Sequence, residues 1–288
     1  RLRRDAGRFL QPVVRGEAER LVALLRAVPG VARVEVAGSI RRRAETSKDV
    51  DLVAAAAHSW PAMEAFANAP GVQEVVGRGP TKCSVRLASG PAADLRVVAE
   101  ASFPFALAYF TGSKAHNIAL RARAQRLGLK LNEYALTRDA DGVEIPCADE
   151  AEVYAALGLP WIPAELREDS GEIEAAEEGR LPRLLERGDL RGILHCHSTA
   201  SDGQATVEEM AEGARALGMT YLGLSDHSQA ASYARGLTLE RFEKQWAEID
   251  ALNARYGGAF RILKGVEVDI LADGRLDFPD EALARFDL

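Results

Sequence analysis

Apolar and polar residues follow two different rhythms in the first third of the chain. Apolar residues recur with the spacing of one helix face over residues 16–28, which predicts an amphipathic helix that ends at Pro29-Gly30. Residues 31–36 alternate between apolar and polar, which predicts a strand followed by a turn at Ala37-Gly38-Ser39. Further strands are predicted at residues 50–56, 72–76, 83–87 and 94–98, and a second helix at residues 60–69.

The pattern changes to helix after Pro104, with an apolar stripe over residues 118–127 that ends at Gly128. Two prolines and an acidic run over residues 165–178 then indicate a linker. From residue 190 on, strand and helix patterns alternate again. The predicted elements are strands at residues 192–195, 221–224 and 260–268, and helices at residues 206–217 and 239–256. This order and spacing predict parallel strands, as in an α/β barrel.

Composition is that of an ordinary globular protein. The 288 residues predict two domains, and 47% apolar and 27% charged residues are typical values. There is no apolar run of about 18 residues and no signal peptide, so we expect no membrane association. Three scattered cysteines favour a reducing cytoplasm. Because the sequence starts at Arg1 and ends at Phe286-Asp287-Leu288, we interpret it as a fragment. Separately, we expect a monomer.

Charge is distributed unevenly along the chain. The net charge of −7 argues against a nucleic-acid partner, but basic residues concentrate before residue 44 and again over residues 114–130. The first stretch contains Arg1, Arg3, Arg4, Arg8, Arg15, Arg20, Arg26, Arg33 and the run Arg41-Arg42-Arg43. The second contains Lys114, Arg121, Arg123, Arg126 and Lys130. Such surfaces can follow a phosphate backbone, although solvated helix faces would carry the same charges.

Two carboxylates lie close together on one predicted strand. Asp49 and Asp51 are two residues apart, so both point to the same face. They repel each other unless a cation neutralises them, and oxygen ligands suit Mg²⁺ or Mn²⁺. Asp94, on a later strand, could supply a third ligand. An isolated Asp-x-Asp pair is more often two polar surface residues on a strand with no function. Here the upstream residues Gly38-Ser39 and Arg42 could hold phosphate oxygens, which favours a catalytic site.

The run GSIRRRAETSKDVD at residues 38–51 resembles the palm motif of the family X DNA polymerases, the DNA polymerase beta family. Thr81-Lys82, Asp94 and YFTGS at residues 109–113 follow in the order of that family, and Gly128 and residues 132–134 fit its thumb. The resemblance covers roughly residues 20–170. Two positions depart from the family pattern: Lys48 replaces a usual glycine, and Ala92 replaces a common basic residue.

The resemblance implies a two-metal nucleotidyl transfer, in which a primer hydroxyl attacks a deoxynucleoside triphosphate. It implies Mg²⁺ or Mn²⁺ ligands at Asp49, Asp51 and Asp94. It implies nucleotide contacts from Gly38, Ser39, Arg42, Tyr109, Phe110, Gly112, Asn117 and Arg121. Asn117 and Arg121 would contact the minor groove, whose acceptors occur on every base pair, although both could also lie on a solvated helix face.

A second set of metal-ligand residue types follows residue 190. Histidines and carboxylates occur at the ends of three successive predicted strands, where α/β barrels keep their chemistry. They are His195, His197, Asp202, His227 and Glu267, and together they suit Zn²⁺ or Mn²⁺. Asp226 and Asp269 could orient these ligands.

The histidine pattern resembles the PHP (polymerase and histidinol phosphatase) domain, which bacterial family X polymerases typically carry after the thumb. The resemblance implies a phosphoesterase, notably a 3′–5′ exonuclease. Later ligands of the family are expected beyond Leu288, so we expect this sequence alone to form an incomplete cluster. The fold class expected is multidomain, α/β and α+β: a palm with a mixed sheet (1–100), a helical-plus-strand thumb (101–170), an acidic linker (171–189) and the first part of a PHP-type βα barrel (190–288).

The leading functional prediction is a cytoplasmic bacterial DNA-directed DNA polymerase that fills gaps in repair. Its partners would be gapped or primer-template DNA and deoxynucleoside triphosphates. Three alternatives stay open at this point. They are a template-independent or small-molecule nucleotidyltransferase, a hydrolase that acts only through the second domain, and a non-catalytic DNA-binding module.

Overall fold

The computed structural model describes residues 7–288, so Arg1, Arg3 and Arg4 of the basic stretch lie outside the described residues. The chain divides into two compact units, residues 1–182 and residues 183–288. No helix in the described part of the chain combines the length and apolar character needed to cross a membrane. Each unit has its own hydrophobic core, so each is described by itself.

The first unit is built on a five-stranded sheet. Its strands, with a short additional pair, are β1 (Phe9–Leu10), β2 (Val31–Val36), β3 (Thr46–Ser47), β4 (Asp49–Ala56), β5 (Val72–Arg78), β6 (Lys82–Leu87) and β7 (Ala92–Val98). The strand order in the sheet is β2-β4-β7-β6-β5, and β1 pairs separately with β3. Only β4 and β7 run parallel within the five-stranded sheet, while its other neighbouring strands are antiparallel. The sheet is therefore mixed, as expected.

Helices cover both faces of this sheet. They are α1 (Gln11–Arg26), α2 (Gly38–Arg41), α3 (Ser59–Ala67) and α4 (Phe103–Thr111). Helices α1 and α3 pack with Val50, Leu52 and Ala54 of β4 on one face. Helix α4 packs with Val53 and Ala55 on the other. The alternation of buried residues along β4 thus fixes which face each of its polar residues can reach.

The rest of the first unit is helical with a small sheet. It contains α5 (Lys114–Arg126), β8 (Leu129–Leu131), β9 (Leu136–Arg138), β10 (Glu144–Ile145), α6 (Glu150–Ala156) and α7 (Glu172–Glu177). Strands β8, β9 and β10 form an antiparallel sheet. The helical stretch after Pro104 is divided because Ser113 accepts a hydrogen bond from the backbone of His116 and so caps α5.

Two local predictions differ from the structure. The first helix begins at Gln11 rather than residue 16, because Pro12 occupies the first turn, where its missing N–H is tolerated. The turn predicted at Ala37-Gly38-Ser39 is the start of the one-turn helix α2. Both differences are at element ends, where patterns are weakest.

The segment predicted as an acidic linker at residues 171–189 contains α7, which belongs to the first unit. Ile173 and Ala176 are buried in the same core cluster as Leu120 and Val153. Its acidic residues are not all solvated, because Glu172 is buried and hydrogen-bonded. The division between the two units falls inside this segment, between Pro182 and Arg183.

The second unit has the predicted strand–helix alternation. Its elements are β11 (Gly192–Cys196), α8 (Val207–Ala216), β12 (Tyr221–Leu224), α9 (Leu239–Tyr256), β13 (Arg261–Lys264) and α10 (Asp280–Leu283). The three strands are parallel, in the order β11-β12-β13. The strand predicted over residues 260–268 is shorter, and beyond it His227 and Glu267 form an isolated parallel bridge. The carboxyl ends of the three strands therefore lie side by side.

Candidate active site and metal centre

Three carboxylates share one face of the five-stranded sheet. In the parallel pair, Asp51 of β4 lies opposite Asp94 of β7, and Asp49 lies opposite Ala92. The intervening Val50 and its neighbours point into the core on the opposite face. Neighbouring strands are about 4.8 Å apart, so Asp51 and Asp94 are adjacent across the ladder.

These carboxylates influence one another electrostatically. Burial, and then the charges of Asp49 and Asp94, raise the pKa of Asp51 to about 7. The Lys82 ammonium lies 2.7 Å from Asp94 Oδ2 and supplies part of the missing positive charge. Excess negative charge that raises a carboxyl pKa is what a divalent cation would relieve, so the donor set fits such an ion.

Gly38 allows the chain to pass close to Asp51. Its φ is +60°, and a Cβ atom at this position would lie 2.1 Å from Asp51 Oδ2. No side chain fits there without moving the carboxylate. The glycine that the sequence placed in a phosphate-binding turn is therefore also required for the position of Asp51.

Ser39 and Arg42, the predicted triphosphate contacts, are already hydrogen-bonded in the structure. The Ser39 and Ser47 hydroxyl oxygens are 2.5 Å apart, and the Ser47 hydroxyl donates to the Asp49 carbonyl at 2.7 Å. Arg42 Nη1 donates to the Thr111 carbonyl oxygen at 2.8 Å. The serine contacts hold Ser39 beside the start of β4, and the Thr111 contact ties Arg42 to the end of α4.

Each arginine of the run 41–43 forms an ion pair with an acid far along the chain. Arg41 pairs with Glu150 at 2.5 Å, Arg42 with Glu168 at 2.5 Å, and Arg43 with Glu165 at 2.9 Å. Sequence reasoning missed these partners because they lie more than 100 residues away. The three charges therefore connect the end of α2 to the segment 150–168, rather than forming a free basic patch.

The carboxylate of Glu150 also binds a buried arginine. Arg167 is fully buried and donates from Nη1 to Glu150 Oε1 at 2.5 Å, while its Nε donates to the Ile162 carbonyl at 2.9 Å. Together with Arg41, this places one carboxylate between two guanidinium groups, which hold the pKa of Glu150 below its usual value against the opposing effect of burial.

The predicted sugar and base contacts surround the end of α4. Tyr109 and Phe110 meet edge to face with ring centroids 5.2 Å apart. Asn117 Nδ2 donates to the Tyr109 carbonyl at 2.6 Å, and Arg121 Nε donates to the Asn117 carbonyl at 3.3 Å. A Cβ atom on Gly112 would lie 2.9 Å from Asn117 Oδ1. Thus Tyr109, Gly112, Asn117 and Arg121 form one connected group.

A buried network beneath Gly112 was not predicted. His116 is fully buried, with Nδ1 2.5 Å from Glu172 Oε1 and Nε2 3.0 Å from the Tyr154 hydroxyl. Burial lowers the pKa of His116, and Glu172 opposes that effect. A Cβ on Gly112 would lie 2.8 Å from the His116 ring, so this network directly supports the Gly112 backbone.

The second unit brings its predicted ligands together. His197 Nδ1 lies 2.8 Å from Asp202 Oδ1, and His197 Nε2 lies 3.1 Å from Glu267 Oε2. His195 Nε2 is 3.0 Å from the same Glu267 oxygen. His227 Nδ1 is buried without a hydrogen-bond partner among the described residues. An orphaned imidazole nitrogen beside histidines and carboxylates fits a transition-metal ion.

Asp226 has a structural environment. It is fully buried and accepts hydrogen bonds from four groups: the Ser198 backbone at 2.7 Å, the Ser198 hydroxyl at 2.7 Å, the Ser201 hydroxyl at 2.5 Å and Gln245 at 2.6 Å. The carboxylate therefore holds the loop that carries His197 and Asp202. Asp269 contacts the site by its backbone, which donates to the Ser228 hydroxyl at 3.1 Å.

The loop after β11 depends on a close backbone approach. A Cβ atom on Gly203 would lie 1.9 Å from the His197 carbonyl oxygen, so only glycine fits. His195 has a φ of +59°, a conformation that non-glycine residues rarely adopt and that often occurs at functional sites. The local backbone is therefore shaped around the two histidines.

The two sites differ in how closely their ligands converge. Among residues 7–288, two sets of His, Asp and Glu ligands bring their atoms within 4.8 Å of one another, and both lie in the second unit. They are His195, His197 and Glu267, and His197, Asp202 and His227. In the described structure, Asp49, Asp51 and Asp94 do not form such a set, and Lys82 lies against Asp94.

Comparison with known proteins matches both units. Residues 106–168 match the family model of the DNA polymerase beta thumb, and residues 194–285 match that of the PHP domain. The DNA polymerase/3'-5' exonuclease PolX of Bacillus subtilis (strain 168) is 44% identical over 254 residues, which are 88% of this chain and 44% of that protein. DNA polymerase lambda of Rattus norvegicus is 40% identical over 83 residues, 25% of this chain and 14% of that protein.

The chain thus spans less than half the length of the curated relatives it matches. The predicted fold class is confirmed, since a mixed sheet, a polymerase beta thumb and a PHP domain occur in one chain. On these grounds the chain belongs to the family X DNA polymerases that carry a PHP domain.

Proposed function

We propose that this chain carries the activity of a DNA-directed DNA polymerase that fills short gaps during repair in a bacterial cytoplasm. The observation that carries the proposal is the register of β4 and β7, which sets Asp51 opposite Asp94 with Asp49 two residues before. The similarity to a bacterial DNA polymerase/3'-5' exonuclease supports the same reaction class. In this proposal residues 1–100 are the palm, residues 101–170 the thumb and residues 190–288 the PHP portion.

Polymerase and PHP families generally use divalent metal ions, and we assign Mg²⁺ or Mn²⁺ to Asp49, Asp51 and Asp94. Such ions would supply positive charge to the triphosphate and to the attacking primer hydroxyl. Because Lys82 contacts Asp94, we expect this ammonium to release the carboxylate when a cation binds. The raised pKa of Asp51 would then fall, since the same charges would be neutralised.

The chain's own residues would bind and orient the nucleotide. Ser39 and Arg42 would donate to triphosphate oxygens from positions already fixed by their neighbours. Tyr109, Phe110 and Gly112 would lie along the sugar. Holding primer and nucleotide in line accounts for much of the rate of such a reaction, because the chemistry itself needs no covalent intermediate.

Asn117 and Arg121 would contact the base pair in its minor groove. Asn117 donates hydrogen bonds to the Tyr109 and Gly112 carbonyls, and Arg121 donates to the Asn117 carbonyl, which couples this pair to the sugar contacts. Minor-groove acceptors occur on every pair, so these residues would test pair shape without selecting a sequence. This arrangement favours a templated reaction over a template-independent one.

Extension of a primer across a one-nucleotide gap, with Mg²⁺ or Mn²⁺, tests the proposal directly. Asp51→Asn should abolish incorporation while DNA binding largely survives, whereas Asp139→Asn, an exposed control, should leave both unchanged. Wild-type incorporation by Asp51→Asn would exclude the assignment. Equal extension on gapped duplex and on a primer without template would favour the template-independent alternative.

The second unit supports a separate function, a metal-dependent phosphoesterase with 3′–5′ exonuclease activity. The converging ligands His195, His197, Asp202, His227 and Glu267 carry this proposal, and we assign Zn²⁺ or Mn²⁺ to them. Metal titration of the full-length protein should show binding that His227→Asn weakens, with primer extension unchanged. Equal metal affinity in that variant would contradict the ligand assignment.

A further inference from the structure

Glu168 forms an ion pair with Arg42, the residue whose guanidinium group is proposed to bind the incoming triphosphate. Its Oε1 lies 2.5 Å from Arg42 Nε, and the exposed fraction of its side chain is 42%, against 13% for Arg42. The Nε edge of this arginine therefore already has an anionic partner. A phosphate oxygen that approached that edge would meet a carboxylate of the same charge sign.

The segment that carries Glu168 is anchored on both sides. On one side Arg167 is fully buried and paired with Glu150 at 2.5 Å. On the other side the backbone N–H of Asp169 donates to Glu172 at 2.9 Å. The carboxylate is thus presented from a fixed backbone, whereas most exposed ion pairs join two freely moving side chains.

Arg42 does not need Glu168 to keep its orientation. Its Nη1 donates to the Thr111 carbonyl at 2.8 Å, which ties the guanidinium to the end of α4. Release of Glu168 would leave this anchor intact and the Nε edge free. The neighbouring pair of Arg43 and Glu165 differs, since 67% of the Arg43 side chain is exposed and neither residue belongs to the proposed nucleotide site.

We propose that Glu168 is an intramolecular competitor of the triphosphate at Arg42. It weakens nucleotide binding because the triphosphate must displace its carboxylate, and it rebinds Arg42 when the nucleotide leaves. The inference rests on the proposed function, in which Arg42 is a triphosphate contact. It assigns to Glu168 control over nucleotide affinity, with no part in the chemical step.

The test measures binding of a deoxynucleoside 5′-[α,β-imido]triphosphate to the full-length protein. The protein is held on a one-nucleotide gapped duplex with a dideoxy-terminated primer, in Mg²⁺, and calorimetry gives Kd. Glu168→Gln keeps the size of the side chain and removes its charge, so Kd should fall about three- to tenfold. Glu165→Gln, the matched control, should change Kd by less than about twofold.

Arg42→Gln should raise Kd and remove the effect of Glu168→Gln, because the competition exists only at that guanidinium. An unchanged or higher Kd for Glu168→Gln would overturn the inference. If Glu168→Gln has a lower melting temperature than the wild type, the binding measurement is made with Glu168→Asp instead, whose carboxylate is one methylene group further from Arg42. Its Kd should also fall, and an unchanged value would equally overturn the inference.

Failure of the proposed function would look different. In that case the wild-type protein would extend no templated primer, while the Kd values for the analogue could still show the effect of Glu168. Normal primer extension together with a Kd insensitive to Glu168 would leave the polymerase assignment in place and remove only the competitor.

Discussion

Replacing Gly38 by alanine tests the close contact on which the position of Asp51 depends. The new Cβ would lie 2.1 Å from Asp51 Oδ2 and 2.9 Å from Asp51 Cγ, so the carboxylate or the backbone must move by more than about 1 Å to restore van der Waals contact. A misplacement of about 1 Å in a catalytic group costs about a hundredfold in rate. The φ of +60° adds about 1–2 kcal/mol of destabilisation, because alanine rarely adopts it.

Single-turnover gap filling and thermal melting separate these two effects. Gly38→Ala should lower the rate of incorporation about a hundredfold, equivalent to about 2.7 kcal/mol of activation free energy. Gly30→Ala is the matched control, since Gly30 has a φ of +86° but nothing within 4 Å of its Cβ position. It should lose similar stability and keep its rate. A rate within about twofold of wild type for Gly38→Ala would refute the reasoning.

Two further outcomes follow from buried polar groups. Burial lowers the pKa of His116 below 6.5, so as pH falls past 6.5 the unfolded chain binds a proton that the folded chain does not, and the free energy of unfolding decreases. His116→Asn should therefore flatten the pH dependence of urea unfolding between pH 7 and 5.5. Parallel curves for the variant and the wild type would contradict this. Asp226→Asn replaces a carboxylate that accepts four hydrogen bonds with an amide whose N–H₂ group would face those same donors. The metal affinity of the second unit, measured by calorimetry, should fall at least about tenfold. Asp250→Asn, on the exposed face of α9, is the control and should leave that affinity unchanged.

Local alternation was sufficient to place Asp49 and Asp51 on one face, because side chains alternate along any strand. It could not identify the partner strand. Strand β4 pairs with β7 rather than with the next strand along the chain, and only that pairing puts Asp94 opposite Asp51. Pairing between strands that are distant in sequence depends on how the whole sheet packs, and a short stretch of sequence carries no information about that packing.

Charge patterns were the least informative part of the sequence. The arginines at 41–43 were part of a stretch interpreted either as phosphate-binding surface or as a solvated helix face. Their partners are Glu150, in the predicted thumb, and Glu165 and Glu168, in the acidic run interpreted as a linker. Glu172 was assigned to a linker, although it is buried against His116. Composition cannot distinguish a carboxylate in water from one that is paired inside the fold.

The histidine cluster was predicted more completely, because its ligands follow successive strands. Parallel strands bring their carboxyl ends to one edge, so sequence order translated directly into proximity. The sequence also suggested that Asp226 orients the ligands. It did not identify the four donors to that carboxylate, which come from the β11 loop and from α9.

The parallel pairing of β4 and β7 makes the carboxylate site sensitive to strand alignment as well as to residue identity. A slip of β7 by one residue would turn Asp94 toward the apolar side, now occupied by Ala93 and Leu95, and would set one of those residues opposite Asp51. A mutation in the β6–β7 hairpin could therefore silence the site without touching any ligand. The effect of a sequence change near Gly90, between β6 and β7, therefore depends on whether it preserves the register of β7 against β4.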